Sequence, residues 1–182
     1  MGTQDSNGLK ALSTRRLVLR ALEQKDSAQV AVLRSDERVN QYLNRPACVS
    51  VAEAKVFIRK IQAGIANNGW YYWAIDLKEE RRLIGTVCLW NIDLENSSIE
   101  LGYELLPANQ GKGLMFEALE KVIGFAFGEL KFKKIVAVTN QFNSKSIRLL
   151  ERFGFVKDES FIDEASEGAD DISFGLVRPD DV

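Results

Sequence analysis

At 182 residues the chain has the length of one domain, and 46% hydrophobic with 27% charged residues excludes collagenous and disordered readings. The formal charge of −2 and pI ≈ 5.4 give no basic footprint for nucleic acid, and no apolar run reaches the ~18 residues of a membrane helix. Without histidine there is no Ser-His-Asp hydrolase and no histidine-ligated zinc, and Cys48 and Cys88 are too few for a disulfide scaffold or a metal site. A cytoplasmic protein is expected, with no metal and no membrane partner.

Residues 1–13 read as a flexible leader and 14–182 as a single domain. Residues 16–22 alternate polar and apolar, as a half-buried strand does. Asp26 or Ser27 can cap a helix whose positions Val30, Leu33, Val39 and Leu43 keep a broken period as far as Pro46, which predicts a kink. Ser50 and Glu53 have capping-box spacing, and Ala54, Phe57, Ile58, Ile61 and Ile65 share one helical face, so a second helix ends near Asn67. Segments 70–77, 83–92 and 98–106 predict an antiparallel meander. Beyond Pro107, Leu114, Ala118, Val122 and Ala126 form one stripe and Met115, Leu119, Ile123 and Phe127 the next, the pattern of a helix packed on a broad face. A strand at 134–139, a short helix through Ile147, Leu150 and Phe153, and strands at 155–161 and 172–178 complete the chain. The order gives an α/β (α+β) domain, a mixed central sheet of about seven strands flanked by about four helices.

Charge is unevenly spread. Residues 158–182 hold nine acidic side chains against Arg178 alone, a net of −8, so the remaining chain carries +6. A basic body suits an anionic ligand and the acidic segment, with Asp163, Glu164 and Glu167, suits a cationic one. A solvated acidic loop is the alternative.

Chemistry concentrates in residues 99–118, I-E-L-G-Y-E-L-L-P-A-N-Q-G-K-G-L-M-F-E-A. Gly111 and Gly113 bracket Lys112 between a strand end and a long helix, so main-chain N–H groups converge at a positive helix terminus, a cradle for phosphate. Glycine there admits left-handed angles and removes a side chain that would block a pyrophosphate. An ordinary strand-to-helix turn is the alternative for a bare G-x-G. The loop lacks the P-loop spacing, and Phe116 breaks the dinucleotide fingerprint.

Four segments in order resemble the GNAT superfamily of acyl-CoA-dependent N-acyltransferases, most closely its ribosomal-protein alanine N-acetyltransferase-like branch. They are Thr14-Arg15-Arg16-Leu17-Val18-Leu19-Arg20, Ile99-Glu100-Leu101-Gly102-Tyr103, the loop from Gln110 to Leu119, and Asn143-x-x-Ser146 leading to Gly154-Phe155. The resemblance implies a GNAT-like sheet and an acetyl-CoA site between two splayed parallel strands. The pantetheine arm would meet the backbone near Leu105 and Leu106 and face Asn143. The pyrophosphate would lie on the amides of Gln110, Gly111, Lys112, Gly113, Leu114 and Met115. Lys145, Arg148 and Arg152 flank this route, as an anionic cosubstrate favours. Ala108 stands where the superfamily often has Gln or Arg, Phe116 where the branch often has Thr, and Leu150 where many relatives carry a general-acid tyrosine.

Acetyl transfer to an amine needs a base for the amine proton and a proton for the thiolate. Glu100 and Glu104 share a strand face with Gly102, and either is a candidate base, with Glu100 the better match to the family strand. Ser146, one turn before Leu150, is the candidate acid; helix capping is its alternative role. Tyr103 reads as core, Cys88 as a small apolar group, and the aromatics at 70–73 with Trp90 as sheet packing or an acceptor cleft. The expected function is N-acetyl transfer from acetyl-CoA to a primary amine, a protein N-terminus or a small molecule, in a ternary complex, by a monomer or homodimer. A CoA-binding regulatory module without turnover is the alternative, and a structural domain that binds no nucleotide a third.

Overall fold

A computed structural model describes residues 9–47, 50–158 and 170–178. Among them, eight strands form one sheet: β1 (Leu12–Ser13), β2 (Leu17–Ala21), β3 (Tyr71–Leu77), β4 (Arg82–Asp93), β5 (Ser98–Leu105), β6 (Lys134–Asn140), β7 (Val156–Lys157) and β8 (Asp171–Val177). Five helices flank it: α1 (Ser27–Ser35), α2 (Glu37–Asn40), α3 (Val51–Ala66), α4 (Leu114–Gly128) and α5 (Ser144–Arg152). The strand order is β1-β2-β3-β4-β5-β6-β8-β7, antiparallel throughout except for the β5–β6 pair. This is the mixed sheet expected of a GNAT-like domain, with one more short strand and one more short helix than the sequence pattern shows.

Alternation along the strands builds two apolar faces. Trp73 and Ile75 of β3 are inaccessible to solvent, and Phe125 of α4 meets Tyr71 and Trp73 edge-on at 5.8 and 5.7 Å. The opposite helices α1 and α3 pack together through Val30, Leu33, Ala54 and Ile58. Removing such side chains from water stabilises by about 1.5–3 kcal/mol each. Arg20 joins β2 to its neighbours, with Nη1 2.8 Å from Asp26 and Nε 2.7 Å from Asp76.

Three local readings change. The expected kinked helix is two helices, because Asp36 is extended (φ −69°, ψ 118°) and its carboxylate accepts from the Arg38 amide to start α2. Asp26 does not cap α1, since its carboxylate is engaged by Arg20 and by the Glu23 amide. Residues 9–13, read as part of the leader, pack on the domain: Leu9 and Leu12 are buried and the Lys10 carbonyl accepts from Trp73 Nε1. The capping box of Ser50 and Glu53 forms as the spacing predicts.

Candidate active site

The β5–β6 ladder is short. Only Ser98, Ile99 and Glu100 pair, with Lys134, Ile135 and Val136, although both strands continue, to Leu105 and Asn140. Past Glu100 the sheet therefore forks. On β5, the Leu106 amide donates to Ile84, so the Gly85–Leu105 pair is of the wide type and the main-chain groups of Tyr103 and Leu105 point into the fork. On β6, the Arg178 amide donates to Lys133, which by the same rule turns Val138 toward the fork from the other side. Leu106 itself is engaged, its amide by Ile84 and its carbonyl by Asn109, while the Leu105 carbonyl accepts from Gln110 Nε2 at 3.0 Å.

The fork leads to the glycine loop. Gly111 and Gly113 have φ of +74° and +71°, and Gly113 is the N-cap of α4 with no side-chain cap. Amides at the first turn of a helix have no intrahelical acceptor. No atom lies within 4 Å of where a Cβ on Gly111 would stand, and the nearest to one on Gly113 is Arg16 Nη2 at 3.6 Å. The space over the loop is open. Arg16 holds the loop from behind, donating to the Lys112 carbonyl at 3.0 Å and to Glu117 at 2.6 Å. Burial alone would raise the Glu117 carboxyl, but hydrogen bonds from Thr14 and from the Arg16 amide and guanidinium hold it down at about 2. Phe116 stacks on Phe153 at 4.3 Å, joining α4 to α5, and Lys145 reaches Gln110 at 3.2 Å across the fork.

On the α1–α3 side the fork opens into a cavity of about 470 Å³. Glu100, at the last ladder position, lines it and accepts from Asn91 at 3.2 Å. Glu104 lies at its other end, held by Arg45 Nη2 at 2.5 Å, by Thr86 at 3.1 Å and by an ion pair to Arg34 at 3.7 Å. Across the fork, Tyr103 and Ser146 share a 2.8 Å hydrogen bond, and Ser146 also lines the cavity. Burial pushes the Tyr103 hydroxyl up to about 12, so it keeps its proton at neutral pH. Asn143 is the N-cap of α5, accepting from the Ser146 amide at 3.2 Å.

Residues 16–156 match the family model described as acetyltransferase (GNAT) domain. The chain belongs to the GNAT acetyltransferases. It is 34% identical over 154 residues to the uncharacterized N-acetyltransferase p20 of Bacillus licheniformis, covering 82% of this chain and 84% of that one. It is 26% identical over 148 residues to spermidine N(1)-acetyltransferase of Vibrio cholerae, covering 81% and 83%. In fold it is similar to ribosomal-protein-S5-alanine acetyltransferase from Vibrio fischeri, with TM-score 0.78, 22% identity and coverage of 93% and 97%. The GNAT family uses acetyl-CoA.

In this N-acetyltransferase the described residues include no cluster of three or more metal-ligating side chains and no helix long and apolar enough to cross a membrane. Burial pushes the Cys88 thiol up to about 12, with Glu104 and Glu100 adding to the effect, which disfavours the thiolate at neutral pH. Trp73 is core, whereas Trp70, Tyr72 and Trp90 line the cavity, so the aromatic cluster divides between packing and site. Asp163, Glu164 and Glu167 lie outside the described residues.

Sequence reasoning missed Arg34, Arg45 and the part played by Tyr103. A signal existed for the first: Val30, Leu33 and Arg34 stand at i, i+3 and i+4, so a charge falls beside the inward face of α1. For Tyr103 there was none, since its partner lies 43 residues away on another element.

Proposed function

We propose that this enzyme transfers the acetyl group of acetyl-CoA directly to a primary amine of a small molecule or a protein N-terminus, in a ternary complex. The reading is carried by the fork, which joins an open, uncapped helix terminus to a cavity holding a carboxylate and a hydroxyl pair. The residues fit acetyl-CoA. Amides of Gly111, Lys112, Gly113, Leu114 and Met115 would hold the pyrophosphate, with Gln110 and Lys145 at the rim and Asn143 fixing the start of α5. Main-chain groups of Leu105, Tyr103 and Val138 would meet the amides of the pantetheine arm. When bound, acetyl-CoA supplies an acyl thioester whose carbonyl carbon accepts the amine nitrogen as the C–S bond breaks.

Glu100 takes the amine proton, directly or through a water. Glu104 is assigned a positioning role instead, because Arg45 and Thr86 already hydrogen-bond its two oxygens and Arg34 pairs with it at longer range. Ser146 gives a proton to the departing sulfur and draws on the Tyr103 hydroxyl behind it. This pair takes the place of the tyrosine that Leu150, fully buried, has replaced.

Thermal melting with acetyl-CoA, followed by thiol release against a panel of amines, tests the reading. A stabilised protein that releases CoA thiol in the presence of an amine supports it. Stabilisation with no release from any amine would leave a CoA-binding module without turnover, and no stabilisation at all would remove the cradle assignment.

A further inference from the structure

The two ends of the cavity along β5 differ in charge. Glu100 stands four residues before Glu104, so their Cα atoms are about 13 Å apart. At the Glu100 end the charged lining is the Glu100 carboxylate and Lys60, which lies over Trp70. At the Glu104 end it is cationic: Arg34 and Arg45 stand against the single carboxylate of Glu104.

Arg34 is under-satisfied there. Its side chain is 14% exposed and its Nε, out of contact with solvent, has no hydrogen-bond partner. Its ion pair with Glu104 is 3.7 Å, longer than a hydrogen bond, because Thr86 and Arg45 hold the nearer approaches to that carboxylate. The guanidinium lies over the Phe57 ring, with Cζ 4.0 Å from the ring centroid. A guanidinium is a fork of five donors and cannot shed its charge, so one held in a cavity wall with its donors unmatched is suited to a planar anion. Tyr72, which lines the same end, cannot supply that anion, since burial keeps its hydroxyl protonated.

We infer that the acceptor is a small amine carrying a carboxylate several bonds from the amine, the carboxylate held by Arg34 with Arg45, and the amine presented to Glu100. This rests on the acetyl-transfer reading and narrows its acceptor class. A polyamine would bring a second cation to the cationic end, and like charges there cost affinity. A cavity of about 470 Å³ suits a molecule of this size with walls from Phe57, Trp70 and Tyr72.

The test compares three acceptors on the intact enzyme: 6-aminohexanoate, hexylamine and spermidine. The expected result is kcat/KM for 6-aminohexanoate at least tenfold above either of the others. Arg34→Met should bring the ratio of 6-aminohexanoate to hexylamine close to one, and Arg34→Lys should retain part of it. The acetyl-CoA melting shift reports whether each variant is folded, and the comparison on the unaltered enzyme needs no variant. A structural Arg34 would lower turnover of both acceptors alike and keep the ratio, which overturns the assignment. Equal or faster turnover of hexylamine or spermidine overturns the acceptor class while leaving acetyl transfer standing. Thiol release with none of the three, despite a melting shift, overturns the acceptor class, and the wider amine panel then decides whether acetyl transfer stands.

Discussion

Ser146 divides its polar groups between two partners. Its amide goes to Asn143, which caps α5, and its hydroxyl goes to Tyr103 across the fork. Removing the hydroxyl therefore leaves the cap in place. Ser146→Ala should lower kcat about tenfold to a hundredfold, the low end for acid catalysis because a thiol of pKa near ~8.5 departs readily. Acetyl-CoA affinity should change little, and the melting temperature should stay close to that of the parent. Asn143→Ala gives the opposite signature, a loss of ~1 kcal/mol in stability from the cap. Tyr103→Phe should slow turnover without adding to the Ser146→Ala loss, as expected for two groups serving one proton; independent, multiplying losses would separate them. The places of Glu100, Ser146 and Asn143 around one cavity were legible because motif and strand period bring them there. The Tyr103 bond was not, because a hydrogen bond between distant elements leaves no local pattern.

At the scale of elements, the glycine loop is a strand-to-helix turn held in shape by Arg16 of the β1–β2 turn. Gly113→Val asks a branched residue to take φ near +71°, at a cost of roughly 1–2 kcal/mol, and sets its side chain against the Arg16 guanidinium that holds the loop. Most of the melting shift with acetyl-CoA should disappear; an unchanged shift in a folded variant would end the phosphate assignment. Glu117 ties the helix start to the β1–β2 turn, and its effect on stability depends on pH. Its carboxyl titrates from an ordinary value of 4.5 down to about 2 in the fold. The stabilisation is therefore complete above pH 4.5 and is lost as pH falls through 2. Glu117→Gln should be less stable than the parent by about 1–3 kcal/mol at pH 7, with the gap closing toward pH 2 in urea titrations. The capping box of α3, the stripes of α4 and the meander were all readable from spacing. The break at Asp36 was not, because the apolar period continues across it and only the backbone turn interrupts the helix.

For the whole molecule, the sheet is a long antiparallel meander, β1 to β5, and a three-stranded group, β6-β8-β7, meeting at three residue pairs. The composition and element order imply a mixed sheet between helices, but where two parallel strands stop pairing is a property of twist and neighbours that no single segment encodes. Acetyl-CoA bound in the fork should stabilise the folded state alone, by about 2.7 kcal/mol at a hundred times its dissociation constant. The melting temperature should rise with the logarithm of concentration, and CoA itself should give most of the effect because the pyrophosphate and pantetheine contacts are shared.

The fork also means that, before anything enters it, two runs of strand backbone face each other without bonding. Each is an edge inside a sheet. In deuterated water the amides of Tyr103, Leu105 and Val138 should exchange much faster than those of β3, which has a partner on both sides. Filling the fork should slow all three together, so that the cosubstrate behaves as a temporary strand and each catalytic cycle closes and reopens the middle of the sheet.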